Sequence, residues 1–292
     1  MCGIIGAVSL SGDPLNLSKS QVNSLMDSMD YRGPDSRDIW FNEDKRVVLG
    51  HLRLSILDPR PSGIQPMHRE SVNGKYSISF NGEVFNFIEI RKELESLGYT
   101  FTTDTDTEVI LNAYMAWGAG CINKFNGMYG IAIYDHAIDR LFLVRDRVGI
   151  KPVYYNHDAV RGTLSFASEV KALRPIVEQD TTVDPHLLDQ YMRFGYIPGE
   201  DTLNKGIKRL LPGHYLIAEK GEVNITKYWD LDYTSDEKRS EDSYISELEQ
   251  LLDSSLDLRL RADVPLGVFL SGGLDSSAVV ALLAKKVDKP LK

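Results

Sequence analysis

The sequence predicts an α+β domain built of layers, followed by the beginning of a second domain of the α/β class. Segments with strand character come first, two helices follow, and further strands return, an order that favours layered α+β structure over an alternating parallel sheet. Of the 292 residues, 42% are hydrophobic, which is enough for a substantial core. A polar segment at 230–243 separates the two parts.

The first elements are a strand and a helix. Residues 4–10 (IIGAVSL) form an apolar run of strand length. Ser18 and Gln21 have the spacing of a capping box, and Gly33-Pro34 ends the helix that they begin. The apolar residues of this helix recur at helical spacing: Val22, Leu25, Met26 and Met29.

Further runs of strand character lie on both sides of a predicted helical pair. DIWF, RVVLGHLRLSIL and KYSISF come before it, and the Asn81-Gly82 pair that follows them predicts a tight hairpin. MYGIAIYD, RLFLVRD, PVYY and TLSFAS come after it, and the β pair GHYLIAEKGEVNITKYW closes the domain. This pattern predicts antiparallel sheets with helical cover.

The helical pair begins near Phe87. Its first helix runs to about Leu97 and ends at Gly98, since glycine readily takes the left-handed conformation found after helix ends. The second helix begins after Thr105, and the spacing of Thr105 and Glu108 again fits a capping box.

The segment after residue 243 predicts an amphipathic helix and then a strand, a glycine-rich loop and a helix, spelled VPLGVFL, SGGLDSS and AVVALLAKK. A strand this apolar belongs in the middle of a parallel sheet, and one strand with two helices cannot supply its neighbours. We therefore expect a first domain at 2–228, a linker at 229–243 and an incomplete second domain at 244–292. The amphipathic helix carries Ile245, Leu248, Leu251, Leu252 and Leu258.

Charge and composition narrow the classes of function. The formal net charge of -9 disfavours nucleic acids and anionic membranes as partners, because those surfaces repel an acidic protein. No apolar run reaches the roughly 20 residues of a membrane helix, and the opening residues lack the features of a secretory signal. We expect a cytoplasmic protein with a small-molecule substrate.

Cys2 has the most specific chemistry in the chain. With Cys121 it makes two cysteines, too few for a disulfide framework, and no cysteine or histidine pair has zinc spacing. Removal of Met1 would leave a thiol and an α-amine on one residue, with ordinary pKa values of about 8.5 and about 7.7–8.0, so the amine can accept the thiol proton. A packed thiol at a strand end is the alternative. Cys121 is expected to be a buried small hydrophobe without a chemical role.

Several polar motifs also allow a purely structural interpretation. RGPDS (Arg32 to Ser36) fits a helix stop and turn, and NGEVFN (Asn81 to Asn86) fits a hairpin turn. Asp106 fits a residue that accepts backbone N–H groups at a helix start. Arg53 fits an exposed residue of a half-buried strand, and His51 is interpreted as structural.

The SGGLDSS loop, Ser271 to Ser277, lies where the apolar run gives way to a helix. Its backbone N–H groups, its serines and the positive end of the helix can hold phosphate oxygens, and Asp275 can help bind Mg²⁺. The loop has no lysine of the Walker type. An ordinary tight glycine turn is the alternative.

Taken in order, these stretches closely resemble the glutamine-hydrolysing asparagine synthetases, whose N-terminal half belongs to the class II glutamine amidotransferases. Each motif alone is weak, but the ordered set is highly specific and covers essentially the whole chain. The motifs are MCGIIG, RGPDS, HLRLSILD, QPM, NGEVFN, TDTDTEVI, FNGMYGIAIYD, RDRVGIKPVYY, ASEVKAL, LPGHYL, YWD and VPLGVFLSGGLDSS.

The resemblance implies an N-terminal nucleophile hydrolase fold, an αββα sandwich of two antiparallel sheets between helical layers, joined to an ATP-pyrophosphatase domain. It implies that Cys2 attacks the side-chain amide of glutamine with its own amine as base, a reaction that needs no cofactor. Asn81 and the N–H of Gly82 would form the oxyanion hole. The residues that it assigns to glutamine binding are Arg53, Leu54, Ser55, Ile56, Asn81, Gly82, Glu83 and Asp106.

For the second domain, the resemblance implies that ammonia passes internally to an aspartate whose β-carboxylate has been adenylated by ATP. The substrates are then glutamine, aspartate and ATP with Mg²⁺, with Asp275 as the expected Mg²⁺ ligand and a homodimer as the oligomer to examine. We expect this chain alone to hydrolyse glutamine and the parent protein to make asparagine. The residues assigned to ATP binding are Leu270, Ser271, Gly272, Gly273, Asp275 and Ser276.

Two alternatives stay open. One is an amidotransferase of the same layout that acts on another carboxylate, such as one on a peptide or a surface sugar. The other is a non-catalytic truncated partner that docks on a synthetase, because VPLGVFL and AVVALLA have no predicted cover. Enzymes acting on sugar phosphates or phosphoribosyl substrates share the Cys2 half, but the SGGLDSS loop counts against them.

Overall fold

The computed structural model describes residues 1–72, 74–177, 183–234 and 239–286. Internal contacts divide the chain into two units. The first unit comprises Met1–Ser55 and Arg60–Asp230, and the second comprises Ile56–Pro59 and the chain from Leu231 onward. The predicted boundaries at 228 and 243 stay a prediction, and residues 235–238 of the predicted linker lie outside the described residues.

Two six-stranded antiparallel sheets form the first unit. Their strand orders are β10-β8-β9-β1-β3-β2 and β12-β11-β7-β6-β5-β4, with the labels numbered along the chain. The strands are β1 (Gly3–Ser9), β2 (Ser36–Phe41), β3 (Val47–Arg53), β4 (Met67–Ser71), β5 (Gly74–Val84), β6 (Gly127–Asp135), β7 (Arg140–Arg145), β8 (Tyr154–Asp158), β9 (Thr163–Ala167), β10 (Lys208–Arg209), β11 (His214–Glu219) and β12 (Glu222–Lys227).

The first unit holds α1 (Lys19–Asp27), α2 (Phe87–Ser96), α3 (Asp106–Trp117), α4 (Val170–Leu173) and α5 (Pro185–Phe194), and the second unit holds α6 (Glu241–Arg259) and α7 (Leu274–Leu283). Helices α1 and α4 pack on the first sheet and α3 on the second. Short 3₁₀ helices cover Asp30–Arg32, Pro61–Gly63 and Gly118–Lys124. Among the described residues, no helix is both long and apolar enough to span a membrane.

The layers follow from the alternation of side chains along buried strands. In β1, Ile4 and Val8 enter the core between the two sheets, whereas Ile5 and Ala7 enter the core beneath α1. On the other side of the sandwich, Tyr76 of β5 contacts Tyr114 of α3, with ring centroids 6.1 Å apart. The order helix, sheet, sheet, helix confirms the predicted α+β sandwich.

Of the two capping boxes predicted at helix starts, the one at α1 formed in full and the one at α3 formed in part. At α1, Gln21 N donates to Ser18 Oγ at 3.3 Å and Ser18 N donates to Gln21 Oε1 at 2.8 Å, so this capping box is confirmed. At α3, Glu108 N donates to Thr105 Oγ1 at 3.2 Å, but the Glu108 carboxylate accepts from Thr103 N at 2.7 Å. The second capping box was therefore wrong in its reciprocal half, because a neighbouring loop offers the carboxylate other donors.

Two local predictions about strands were wrong. Asn81 and Gly82 form no hairpin: they lie inside β5 and pair with Gly130 and Tyr129 of β6. A Cβ on Gly82 would lie 2.1 Å from Met128 O, so the glycine permits a close approach of two backbones. The run RVVLGHLRLSIL leaves the strand at Arg53, where β3 ends.

The second unit contains the two helices that the sequence predicts, but residues 264–270 (VPLGVFL) form no strand. The strand prediction was wrong because a strand requires a hydrogen-bonded neighbour, and no described residue pairs with this run. Several apolar residues of α6 are exposed, among them Leu248 and Leu251.

Candidate active site

Cys2 lies at the start of β1, beside the segment that follows β3. The Leu54 N–H donates to Cys2 Sγ at 3.3 Å, and the thiol in turn contacts Leu54 O at 3.6 Å. Burial raises the pKa of the Cys2 thiol, while the Leu54 hydrogen bond opposes this increase. Antiparallel pairing of Gly3 with Leu52 brings these two chain segments together.

A buried arginine holds the chain end in place. Arg32 Nε donates to Cys2 O at 2.9 Å, and Arg32 Nη1 forms an ion pair with Glu169 Oε1 at 2.5 Å. The Tyr31 hydroxyl donates to the same Glu169 oxygen at 2.9 Å. The sequence analysis interpreted Arg32 only as part of the RGPDS turn and did not predict that it holds Cys2. These contacts prevent the fraying expected of a chain end.

Asn81 presents an unpaired buried amide to the space between the sheets. Its residue is 1% exposed, and neither Nδ2 nor Oδ1 has a hydrogen-bond partner among the described residues. Ser79, on the same face of β5, donates to Gly50 O of the opposite sheet at 3.0 Å. Because side chains two residues apart share a face, Asn81 also faces the sheet that carries Cys2.

Two acidic residues extend this end of the sandwich. Asp106, the first residue of α3, is buried, and its Oδ2 accepts from Val84 N at 3.0 Å. Burial, with a smaller contribution from Glu83, raises the pKa of Asp106 to about 7. The Asp106 carboxylate also interacts electrostatically with Cys2. Asp106 therefore accepts a backbone N–H, as its structural interpretation predicts, while lying near the candidate nucleophile.

Arg53 is buried, which contradicts its interpretation as an exposed strand residue. It ends β3, and its Nη1 donates to Arg60 O of the following loop at 3.1 Å. In the same loop, Ser55 N donates to Asp35 Oδ2 at 2.7 Å. Ile56 belongs to the second unit by its contacts, so the structure does not join it to the predicted glutamine-binding group.

Two residues set aside by the sequence analysis occupy structural positions. His51 is buried, its Nε2 lies 2.9 Å from Phe80 O, and burial lowers the pKa of its imidazole to about 4. Cys121 is fully buried, and burial raises the pKa of its thiol to about 12. Neither residue is available for proton transfer or nucleophilic attack near neutral pH.

Lys151 was missed by the sequence analysis, although the quoted motif RDRVGIKPVYY contains it. The residue is 5% exposed, and its ammonium interacts electrostatically with Cys2, Glu83 and Arg32. Burial lowers the pKa of Lys151, against the opposing effect of Glu83 and Cys2. A buried lysine in a strand-connecting loop gives no distinguishing local signal, so only the fold reveals its neighbours.

The glycine-rich loop of the second unit leads into α7, with Gly273 at the N-cap position. Ser271 Oγ lies 3.0 Å from Ser276 Oγ, and Gly273 N donates to Ser271 Oγ at 3.4 Å. Leu270, Gly272 and Asp275 are exposed beside them. The loop places backbone N–H groups at a helix start, which suits phosphate oxygens. Within the described ranges, no group of three or more His, Cys, Asp or Glu residues could hold a metal ion.

The αββα sandwich with a cysteine at the start of its first strand agrees with the fold expected of a glutamine amidotransferase domain. The chain belongs to the family described as "Glutamine amidotransferase domain", whose profile matches residues 1–229. The profile described as "Asparagine synthase" matches residues 247–292. These matches confirm the family resemblance found in the sequence.

Curated relatives align with nearly the whole chain. Asparagine synthetase [glutamine-hydrolyzing] 1 of Bacillus subtilis is 36% identical over 296 residues, covering 100% of this chain and 45% of the relative. Putative asparagine synthetase [glutamine-hydrolyzing] 2 of Methanocaldococcus jannaschii is 34% identical, with 99% and 58% covered. Amidase chry2 of Gibberella zeae is 32% identical, with 100% and 44% covered. The chain thus spans about half the length of the curated relatives it matches.

A solved structure supports the fold assignment. Glutamine phosphoribosylpyrophosphate amidotransferase from B. subtilis, complexed with ADP and GMP, superposes with a TM-score of 0.57 at 16% identity. The match covers 99% of this chain and 65% of the other. At 16% identity, the similarity to this structure shows a shared fold and nothing more.

Proposed function

We propose that this chain carries the glutamine-hydrolysing half of a glutamine-dependent asparagine synthetase. The observation that carries the proposal is the buried Asn81 amide, unpaired among the described residues, at the end of the sandwich where Cys2 is held. A buried amide without partners is costly unless a ligand completes its hydrogen bonds. A substrate oxygen that gains negative charge is such a ligand.

The reaction begins after removal of Met1, when the α-amine of Cys2 accepts the thiol proton. The thiolate attacks the δ-carbon of glutamine, a C–S bond forms, and the carbonyl oxygen becomes an oxyanion that Asn81 Nδ2 and Gly82 N stabilise. Collapse of this intermediate breaks the C–N bond, and the proton held by the amine leaves with ammonia. Water then attacks the thioester, releasing glutamate and restoring the thiol.

Charged groups at this end of the sandwich suit the two ends of the amino acid substrate. Arg53 would bind the α-carboxylate of glutamine, while Glu83 and Asp106 would bind its α-ammonium. Backbone groups of Leu54, Ser55 and Ile56 would complete this glutamine site.

In the whole protein, the ammonia would amidate an aspartate that ATP has activated as its adenylate. Ser271, Gly272, Gly273 and Ser276 would hold the phosphates at the start of α7, and Leu270 would lie near the adenine. Asp275 would help bind Mg²⁺, which supplies charge neutralisation when present. The small-molecule substrates and the acidic net charge of -9 suit a cytoplasmic enzyme, with a homodimer as the assembly to test.

A carboxylate other than that of aspartate is a second candidate for the ammonia acceptor, and one observation favours it. Relatives named amidase, one from Gibberella zeae and one from Penicillium rubens, are 32% and 34% identical to this chain. An amidotransferase that transfers ammonia to a carboxylate other than that of aspartate therefore competes with the first proposal. Both candidates use the same glutaminase chemistry.

Two assays test the proposal. The present chain, with removal of Met1 established by mass, is expected to release glutamate from glutamine, and Cys2→Ser should abolish this release while Cys121→Ser retains it. Absence of glutamate release from the processed, folded chain would overturn the glutaminase proposal. The full-length protein is then given glutamine, ATP, Mg²⁺ and aspartate. Formation of asparagine supports the first acceptor, and glutamate release without asparagine supports the second.

A further inference from the structure

We propose that Gln65 is a positioning residue of the glutaminase site, whose side chain fixes the backbone from which Asn81 reaches the substrate oxygen. The inference rests on the proposed glutamine hydrolysis and deepens it, because it assigns the residue that holds the oxyanion donor in place. Gln65 belongs to the QPM motif, to which the proposed reaction gives no role. It acts through Asn81 and needs no contact with glutamine.

The Gln65 side chain is buried, and its amide makes two hydrogen bonds. The residue is 5% exposed. Its Oε1 accepts from Phe80 N at 2.7 Å, and its Nε2 donates to Thr107 Oγ1 at 3.1 Å. Phe80 lies in β5 directly before Asn81, and Thr107 lies in the first turn of α3. A single side chain therefore joins the strand that carries the oxyanion donor to the helix that begins with Asp106.

The Gln65 oxygen replaces a backbone acceptor of the second sheet. Strand β4, the neighbour of β5 on this side, begins at Met67, which pairs with Ile78. If this antiparallel register continued, Gln65 would lie opposite Phe80, but β4 does not extend so far. A buried backbone N–H without a partner is costly, so the side-chain oxygen accepts the hydrogen bond that the strand would have accepted.

His51 holds the other polar backbone group of Phe80 from the opposite sheet. The carbonyl of Phe80 can only accept, so His51 Nε2 donates to Phe80 O at 2.9 Å. His51 pairs with Ile4 of β1, the strand that begins beside Cys2. Both backbone groups of Phe80 are thus held by side chains, one from the chain before β4 and one from the sheet that carries Cys2.

Asn81 depends on these contacts because its own amide is not held by hydrogen bonds. Neither Nδ2 nor Oδ1 has a partner among the described residues, so the direction of the amide depends on packing and on the backbone of β5. An oxyanion donor acts only when it lies close to its ideal distance from the developing charge. A misplacement of about 1 Å can cost about 10²-fold in rate. Release of Phe80 N from Gln65 should therefore lower kcat.

A double-mutant cycle separates positioning from general destabilisation. For Gln65→Met in the processed chain, we expect kcat for glutamine hydrolysis to fall about 10- to 100-fold with a smaller change in KM, because the oxyanion donor is displaced. In the Asn81→Ala background, the same substitution should change kcat by less than about 2-fold, since the donor is already gone. Ser79→Ala, which leaves both contacts of Phe80 intact, should keep kcat. Equal factors in the two backgrounds, or an unchanged kcat in folded Gln65→Met, would overturn the inference.

A milder variant covers the case in which Gln65→Met fails to fold. Thr107→Val removes only the hydroxyl that accepts from Gln65 Nε2, and it should lower kcat in the parent chain but not in the Asn81→Ala background. Thr202→Val is the matched control, because it removes a buried hydroxyl that donates to Ile207 O at 2.8 Å, and it should leave kcat unchanged. No effect of Thr107→Val in the parent chain, or an equal effect in both backgrounds, would also overturn the inference.

A readout without glutamine keeps this inference separate from the proposed function. The side-chain amide signals of Asn81 in an NMR spectrum, identified by their loss in Asn81→Ala, should shift or broaden in Gln65→Met and Thr107→Val but not in Thr202→Val. Unchanged Asn81 signals would overturn the positioning role whether or not the parent chain hydrolyses glutamine. The expected shifts without glutamate release from the parent chain would support the positioning of Asn81 by Gln65 and contradict the proposed glutaminase activity.

Discussion

The backbone N–H of Leu54 lies 3.3 Å from the Sγ of Cys2, which joins the end of β3 to the start of β1. The pairing of Gly3 with Leu52 makes this contact a consequence of sheet register. A one-residue slip would send the flanking side chains to the opposite face and remove the sulfur from its donor. The position of the Cys2 thiol is therefore set by the pairing within the first sheet.

Removing the Asn81 amide should slow the chemical step. For Asn81→Ala we expect kcat for glutamine hydrolysis to fall about 10²–10³-fold, because an oxyanion donor is lost, with a small effect on KM. Ser79→Ala is a matched control on the same strand face: it loses the hydrogen bond to Gly50 O and about 1 kcal/mol of stability, but should keep kcat. A normal kcat in Asn81→Ala would remove Asn81 from the oxyanion hole.

Adding a methyl group at Gly82 should destabilise the fold. The new Cβ would lie 2.1 Å from Met128 O, so β5 and β6 must separate, and we expect a loss of ~2 kcal/mol or more in denaturant unfolding. Gly120→Ala meets no atom within 4 Å and should change stability by less than ~0.5 kcal/mol. Equal unfolding midpoints for the two variants would contradict the packing argument.

The raised pKa of Asp106 predicts a pH dependence of stability. Folding moves this pKa from an ordinary value of 3.8 to about 7, so the folded state binds the proton more tightly and stability falls as pH rises from about 4 to about 7. Asp106→Asn removes this dependence, and its stability relative to the parent should rise by up to ~4 kcal/mol across that window.

Thermal unfolding at pH 4 and pH 8 measures this difference for the parent and Asp106→Asn. Parallel pH profiles of the two proteins would show that Asp106 does not titrate in this range. The same substitution should raise the KM for glutamine at pH 8, because the proposed partner of the substrate ammonium is then lost. A variant that is more stable but binds glutamine less well is the expected combination.

Breaking the ion pair between Arg32 and Glu169 should lower the stability of the protein and loosen the chain end at Cys2. Glu169→Gln leaves the buried Arg32 guanidinium without its ion pair, for an expected loss of about 2 to 4 kcal/mol. Glu200→Gln breaks an exposed pair with Lys208 and should cost at most about 1 kcal/mol. Urea unfolding compares the two, and proteolysis near residue 2 reports whether the chain end has loosened. Equal losses would argue against a special role for the buried pair.

Local patterns predicted much of the fold because the interactions concerned are themselves local. The helix from Phe87 to about Leu97 and the capping box at Ser18 depend on residues within one or two turns, and both are confirmed. Strands β4 and β10 and helices α4 and α5 were not predicted. Their patterns are short or weak, and their existence depends on neighbours brought from elsewhere in the chain.

The residues of the candidate site were likewise predicted from the sequence only in part. Family motifs in the sequence pointed to Cys2, Asn81 and Asp106 by residue type and order, without any information about their distances. The burial of Arg53 and the position of Asn81 inside a strand contradicted local expectations, and Asn81 lies in a strand because the distant β6 pairs with it at Gly130.

By itself, the sequence determined the class of fold, the family and the residue types available for chemistry, because periodicity, capping and motif order are written along one chain. Only the tertiary structure decided which groups are desolvated and which charges face each other. Those properties arise when strands that are distant in sequence pair and exclude water, as β1 and β3 do where Gly3 pairs with Leu52 beside Cys2.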